Sequence, residues 1–176
     1  MIVRIQFALL LALLLPLASH AQPAATESPD SVAQKRSIVD IRNVGTAMWT
    51  WYKDEVAPRR SPESHKKAAE LATLTKEVDF ERVPVISRED LAAILVPKYI
   101  ASIPEADGWG NPYEFRLNTK DANAIVVMAV RSAGKGGQLS GSHYQVDRFE
   151  PSDFDQDIAW IDGYFARWPQ KSENGR

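Results

Sequence analysis

Ile38, Ile41, Val44, Met48, Trp51 and Tyr52 recur every three or four residues, while Lys35, Arg36, Asp40, Arg42, Asn43 and Lys53 fall off that stripe. One apolar face at the helical period predicts a long helix over 31–55. Asp30 or Ser31 caps it, and it ends before Pro58. Gly45 inside such a helix costs about 0.5–1 kcal/mol relative to Ala, which predicts a close packing contact there. Farther along, the period changes. Tyr113, Phe115 and Leu117 share one face and Glu114 and Arg116 the other, so 112–117 reads as a half-buried strand. Ala124–Val130 is a continuous apolar run rich in β-branched residues, the pattern of a buried strand. Ile158–Ile161 and Tyr164–Trp168 form a further pair, joined by Asp162-Gly163, a two-residue hairpin signal.

The segment between the helix and the first strand is polar. Ser61-Pro62 opens a thin second helix through Leu74, because Ser caps and Pro suits the first helical position. Ser87-Arg-Glu-Asp90 is a cap with an acid three residues on; it starts a helix through Leu91–Leu95 that Pro97 stops. Arg131 to Phe154, rich in Gly, Ser and Asp, reads as one long loop. The predicted fold is α+β, a long N-terminal helix packed on a small antiparallel sheet.

The N-terminus changes the picture of where this domain works. Arg4, the apolar run Phe7 to Leu17 and Ser19-His20-Ala21 before Gln22 make the pattern of a cleavable secretory signal peptide over 1–21. The apolar run is shorter than the roughly 20 residues a spanning helix needs. The alternative is an inner-membrane anchor formed by residues 2–17. Export to the periplasm or beyond is therefore expected, with a flexible tail at 22–30, a globular domain at 31–169 and a second tail at 170–176. Among the 176 residues there is no cysteine, which removes both a lipid-carrying thiol and a disulfide framework. Stability then rests on packing, with five Trp as the largest contributors. The formal net charge is −2, so there is no basic surplus to hold phosphates and no support for nucleic-acid binding.

Catalytic chemistry finds little to stand on. Ser140, His143 and Asp147 supply the residue types of a triad, but local spacing is poor evidence for one, and Gly137 to Gly141 lacks the spacing of a nucleophile elbow. Gly134-Lys135 fails as a phosphate loop. Ala129 stands where the first Gly is needed, and Gly136 stands where a hydroxyl would hold magnesium. The run Asp153-Phe-Asp155-Gln-Asp157 offers carboxylates at alternate positions, which can converge on calcium. It is not an EF-hand, because Ile158 occupies the required Gly position.

The segment Ile103 to Tyr113 holds two glycines, Asn111 and Pro112 in a turn that feeds the first strand, with Trp109 predicted as a buried anchor beneath it. Asp107-Gly-Trp-Gly-Asn-Pro-Tyr113 resembles the Asp-x-Trp-Gly-Asn-Pro-Tyr signature of type II secretion major pseudopilins. Leu95-Val-Pro-Lys-Tyr-Ile100 resembles the family's approach to that motif, Ser132-Ala-Gly-Lys-Gly-Gly137 its Ser-x-Gly-x-Asp-Gly loop, and Phe154–Ile158 with Asp162 to Pro169 its acidic loop and final hairpin. The resemblance covers 31–169. It implies a pseudopilin-like roll in which Asp107, Trp109, Gly110, Asn111, Pro112 and Tyr113 are a fold fingerprint rather than a catalytic set. It also implies a calcium site in the acidic loop, but Gly136 stands in place of one of the family's acids. Asp155 and Asp157 are left as candidate ligands, and little or no calcium binding is expected. The chain departs from the family at its start, where neither the Gly-ended leader nor the polymerising helix is present in the expected form. The function so implied is a non-catalytic exported domain without a cofactor. It would act by contact with other proteins, among them secretion-system or pseudopilin subunits, in or near a type II secretion or type IV pilus-like assembly. The alternative is a free-standing periplasmic binding or scaffolding domain that kept the fold and lost the secretion role.

Overall fold

A computed structural model describes residues 27–64, 66–67, 70, 76–121 and 123–171. The expected signal at 1–21, most of the tail at 22–30, the end of the tail at 170–176 and much of the expected helix over 61–74 lie outside the described residues; within that helix, residues 62–64, 66–67 and 70 are helical. Among the described residues no helix is long and apolar enough to cross a membrane.

The long helix α1 spans Pro29–Trp51 and continues as a π turn, Tyr52–Val56, and a 3-10 turn, Ala57–Arg59. Its cap is Ser28, whose side chain accepts the Ser31 N–H at 3.1 Å, and neither Asp30 nor Ser31 takes that role. Pro29 explains the shift, since its fixed φ and missing N–H suit the first helical position. The inner face buries Ile41, Val44, Ala47 and Met48, as the periodicity requires. Gly45 meets the Trp160 indole so closely that a Cβ there would lie 2.7 Å from the ring. The expected close contact is present.

The strands are β1 Glu77–Asp79, β2 Val85–Ile86, β3 Glu114–Leu117, β4 Met128–Ser132, β5 His143–Gln145, β6 Asp147–Phe149, β7 Ile158–Ile161 and β8 Tyr164–Pro169. A six-stranded sheet takes the order β2-β3-β4-β7-β8-β6, and a two-stranded one pairs β1 with β5. The architecture is mixed α+β, as expected, with three differences. The segment Arg131 to Phe154 is not one loop: it carries the end of β4 and both β5 and β6. The strand expected at 124–130 begins at Met128 and extends to Ser132. The sheet is not wholly antiparallel, because β6 pairs with β8 in parallel.

β4 and β7 are buried on both faces, which is why β7 and the first three residues of β4, Met128 to Val130, read as unbroken apolar runs. Met128, Val130, Ile158 and Trp160 join the main core with α1, and Ala129, Ala159 and Ile161 join a second, smaller core with Val78, Phe80, Tyr144 and Ala166. The Asp162-Gly163 hairpin forms with both residues at positive φ, 42° and 105°. The short helix Arg88–Leu95 starts as predicted, with the Ser87 side chain accepting the Asp90 N–H at 3.0 Å.

Candidate functional site

The fingerprint residues meet at one joint, where the 107–113 turn rests on the first half of α1. Asp107 is its centre and is 1% exposed. Its Oδ1 accepts the N–H groups of Trp109 at 3.0 Å and Asn111 at 2.9 Å, and its Oδ2 accepts the Ser132 hydroxyl at 2.6 Å. An aspartate that bonds its own backbone two residues on closes a tight turn by itself. The Asp107 N–H donates to the Asn111 carbonyl at 2.8 Å, and Gly110 supplies the φ of 93° that the turn needs.

Gly108 is there for a different reason. A Cβ at this position would lie 2.0 Å from the Ala33 carbonyl oxygen, so the turn and α1 touch backbone to backbone. The Gly108 N–H donates to Ser37 Oγ at 2.9 Å, and the Ser37 hydroxyl donates to the Ala33 carbonyl at 2.9 Å. Asn111 Nδ2 donates to the Gly134 carbonyl at 2.7 Å, which ties the turn to the loop after β4. The Tyr113 hydroxyl donates to Asp40 on α1 at 3.0 Å. Burial, together with the Asp40 charge, raises the Tyr113 phenol well above its ordinary pKa. Pro112 is exposed, and its part is to preset the extended entry into β3.

Trp109 is not the fully buried anchor expected of it. The ring is half-buried at the rim of the main core, and its Nε1 donates to Asp30 at 3.1 Å. The physical reason is that indole: its N–H needs an acceptor, and Asp30 in the first turn of α1 offers one at the surface. Asp30 also accepts Lys135 Nζ at 2.9 Å, and that ammonium holds the carboxyl below its usual range. The anchoring role falls to Asp107.

A second polar cluster lies beneath β5. Arg131, 3% exposed, donates from Nε to Glu114 at 3.0 Å and from Nη1 to the Tyr144 hydroxyl at 3.0 Å, with its guanidinium 4.8 Å from the Phe80 ring centre. Burial pushes the Glu114 carboxyl up, but Arg116 and Arg131 more than offset it and leave it below its ordinary value. The Tyr144 hydroxyl donates to Asp157 Oδ2 at 2.6 Å, and Ser140 adds its N–H at 2.9 Å and its hydroxyl at 2.7 Å to the same oxygen. Burial and the Asp157 bond push the Tyr144 phenol up to about 12. Asp157 Oδ1 is buried and has no hydrogen-bond partner among the described residues.

The two candidate calcium ligands are not brought together. Asp157 is buried in the Ser140–Tyr144 cluster, whereas Asp155 is exposed beside Gly136. Asp153 is exposed and accepts the Gln156 side chain at 2.8 Å. Calcium needs six to eight converging oxygens, and among the described residues no three His, Cys, Asp or Glu side chains gather. These residues do not fit a calcium cage. Nor does a triad assemble. Ser140 serves Asp157, while His143 is exposed, with Nδ1 3.1 Å from Ser142 and Nε2 3.4 Å from Asp79.

Asp30 enters these clusters in a role other than the helix cap expected of it, and Ser132 in one beyond its place in the resembled loop, while Ser37, Arg131 and Tyr144 complete them with no signal in the sequence. Their partners lie up to 105 positions away along the chain, so local pattern carries no trace of them. Along the other flank of α1 an open groove of about 540 Å³ is lined by Asn43, Thr46 and Thr50 on the helix and by Tyr99, Ser102 and Pro104 opposite. No family model, curated protein or solved structure matches this chain.

Proposed function

We propose that this chain is an exported, non-catalytic, pseudopilin-like domain that works by contact with other proteins in or near a type II secretion or type IV pilus-like assembly. The observation that carries the reading is the joint between turn and helix. Each residue that resembles the family's signature has a mechanical task there: Asp107 closes the turn, Gly110 and Asn111 shape and tether it, Pro112 sets the entry to β3, and Trp109 and Tyr113 pin it to Asp30 and Asp40 of α1. The hydroxyls and carboxylates of both clusters are spent on holding loops. What α1 turns outward is contact surface, with Val32, Val39 and Trp49 among its exposed side chains at 54%, 49% and 38%.

One observation favours the free-standing periplasmic alternative. Ser28 closes α1 with a side-chain cap on an extended backbone, which gives the helix a definite start at Pro29. Photo-crosslinking from position 39 in the native cell separates the two. Adducts with envelope secretion or pilus-like subunits are the expected result. Recovery of the protein from the periplasm with no such adducts would favour the free-standing reading, and recovery from the cytoplasm would overturn both.

A further inference from the structure

We propose that the loops 133–141 and 153–157 are locked together by the protein's own side chains in place of a divalent cation, and that Gly136 is the residue that keeps the site metal-free. The inference rests on the pseudopilin resemblance only for the expectation that a metal belongs here; the geometry argues for its replacement.

Three observations converge. Asp157 Oδ2 receives three donors, the Ser140 N–H, the Ser140 hydroxyl and the Tyr144 hydroxyl. Hydrogens aimed at a carboxylate oxygen occupy the lone-pair directions a cation would use. A built-in cation is also at hand. Lys135 donates its backbone N–H to the Phe154 carbonyl at 2.8 Å, which places it against the acidic loop, and its ammonium reaches Asp30 at 2.9 Å. Asp155 adds its own favourable charge interaction with that ammonium.

The third observation is the glycine itself. A Cβ at Gly134 would sit 2.6 Å from the Phe154 and Gln156 carbonyl oxygens, and one at Gly137 would sit 2.8 Å from Asn111 Oδ1, so both positions need glycine for space. Gly136 does not. A Cβ there would rest 3.6 Å from Asp155 Oδ1, ordinary contact, on a backbone with no positive φ. An aspartate at 136 would therefore fit, but it would set a second carboxylate beside Asp155, a like-charge pair that only a cation makes favourable. Against the replacement stands Asp157 Oδ1, which is buried and unpartnered among the described residues.

The test is the melting temperature of the protein purified from its native leader, in about 5 mM calcium and in chelator, with magnesium as control. Wild type should shift by no more than about 1 °C between them, because a ligand that binds only the folded state must raise stability. Gly136→Asp should melt lower than wild type in chelator and recover by several degrees in calcium but not in magnesium. Adding Asp155→Asn to that variant should abolish the recovery. A calcium-dependent rise of several degrees in wild type would overturn the proposal, and so would a Gly136→Asp protein indifferent to calcium. Failure of the secretion reading would leave these outcomes unmoved, since none of them involves a partner.

Discussion

At its N-terminal end α1 meets the rest of the molecule backbone to backbone, with Gly108 against Ala33 and the Ser37 hydroxyl between them; past its C-terminal end the connection runs through side chains. There Arg60 donates to the Tyr52 hydroxyl at 2.6 Å, the Ser64 carbonyl at 3.1 Å and the Ala124 carbonyl at 2.8 Å, and Asn123 accepts the Ser61 N–H at 3.0 Å. The carboxylates differ in the same way. Near the first joint Asp30 faces an ammonium and Asp107 has three donors. Near the second, Asp162 accepts backbone N–H groups, from Val127 at 3.0 Å and Met128 at 2.9 Å, with the Arg60 charge nearby. A backbone contact has no slack, so the first joint should tolerate no added atom. A long side chain can re-aim, so the second should tolerate substitution but respond to pH.

The largest effect should come from Gly108→Ala. The methyl would meet an α1 carbonyl whose helix cannot move without disturbing the core, so the cost should reach about 3 kcal/mol or more, the upper end for overpacking. Gly110→Ala is the matched control: among the described residues no atom lies within 4 Å of its Cβ position, and the positive φ opposes the change for roughly 1–2 kcal/mol. Urea denaturation of the two variants decides. A loss for Gly108→Ala no larger than that for Gly110→Ala would mean that the turn yields to the added methyl and that the backbone contact has slack after all.

Next comes the ranking of Asp107 against Trp109. Asp107→Ala leaves the Ser132 hydroxyl and two backbone N–H groups without their acceptor in a buried place, and each such orphan costs about 1–3 kcal/mol. Trp109→Ala removes a half-exposed ring and should cost less than the roughly 3–5 kcal/mol of a fully buried aromatic. Loss of stability should therefore be greater for Asp107→Ala. The reverse order would restore Trp109 as the anchor of the turn.

That ranking marks the limit of what sequence alone made legible. The α1 stripe was readable because six apolar residues keep the helical period, and the Gly45 contact followed from the cost of glycine inside a helix. The Asp162-Gly163 hairpin and the Ser87 cap were readable because their chemistry is local. β5 and β6 were hidden. Each is three residues long and buries one side chain, Tyr144 or Phe149, too little for a period to show. Trp109 rather than Asp107 reads as the buried anchor because the usual ranking buries Trp and exposes Asp, and the hydroxyl that permits the inversion belongs to Ser132, 25 residues on. Asp155 and Asp157 are candidate ligands because they are near neighbours in sequence and resemble the family's acidic loop, but the backbone turns them to different surroundings.

The smallest expected effect sharpens the second joint. Burial pushes the Asp162 carboxyl from 3.8 up to about 6, against the opposing pull of the Met128 and Val127 N–H groups and the Arg60 charge. The folded protein thus takes up this proton as pH falls through about 6, whereas the unfolded chain waits until about 4. Between those values the folded state holds more protons, so this group's contribution to stability rises as pH falls from 6 to 4 and declines as pH rises again. Asp162→Asn keeps an acceptor oxygen for the two N–H groups and tolerates the positive φ, yet cannot ionise. Other acids titrate in the same range, so the informative quantity is the difference in melting temperature between variant and wild type. It should favour the variant by a few degrees near pH 7 and shrink steadily toward pH 4. Parallel curves over that range would show that Asp162 stays ionised in the fold, and the contrast between a rigid joint and a pH-responsive one would fall with it.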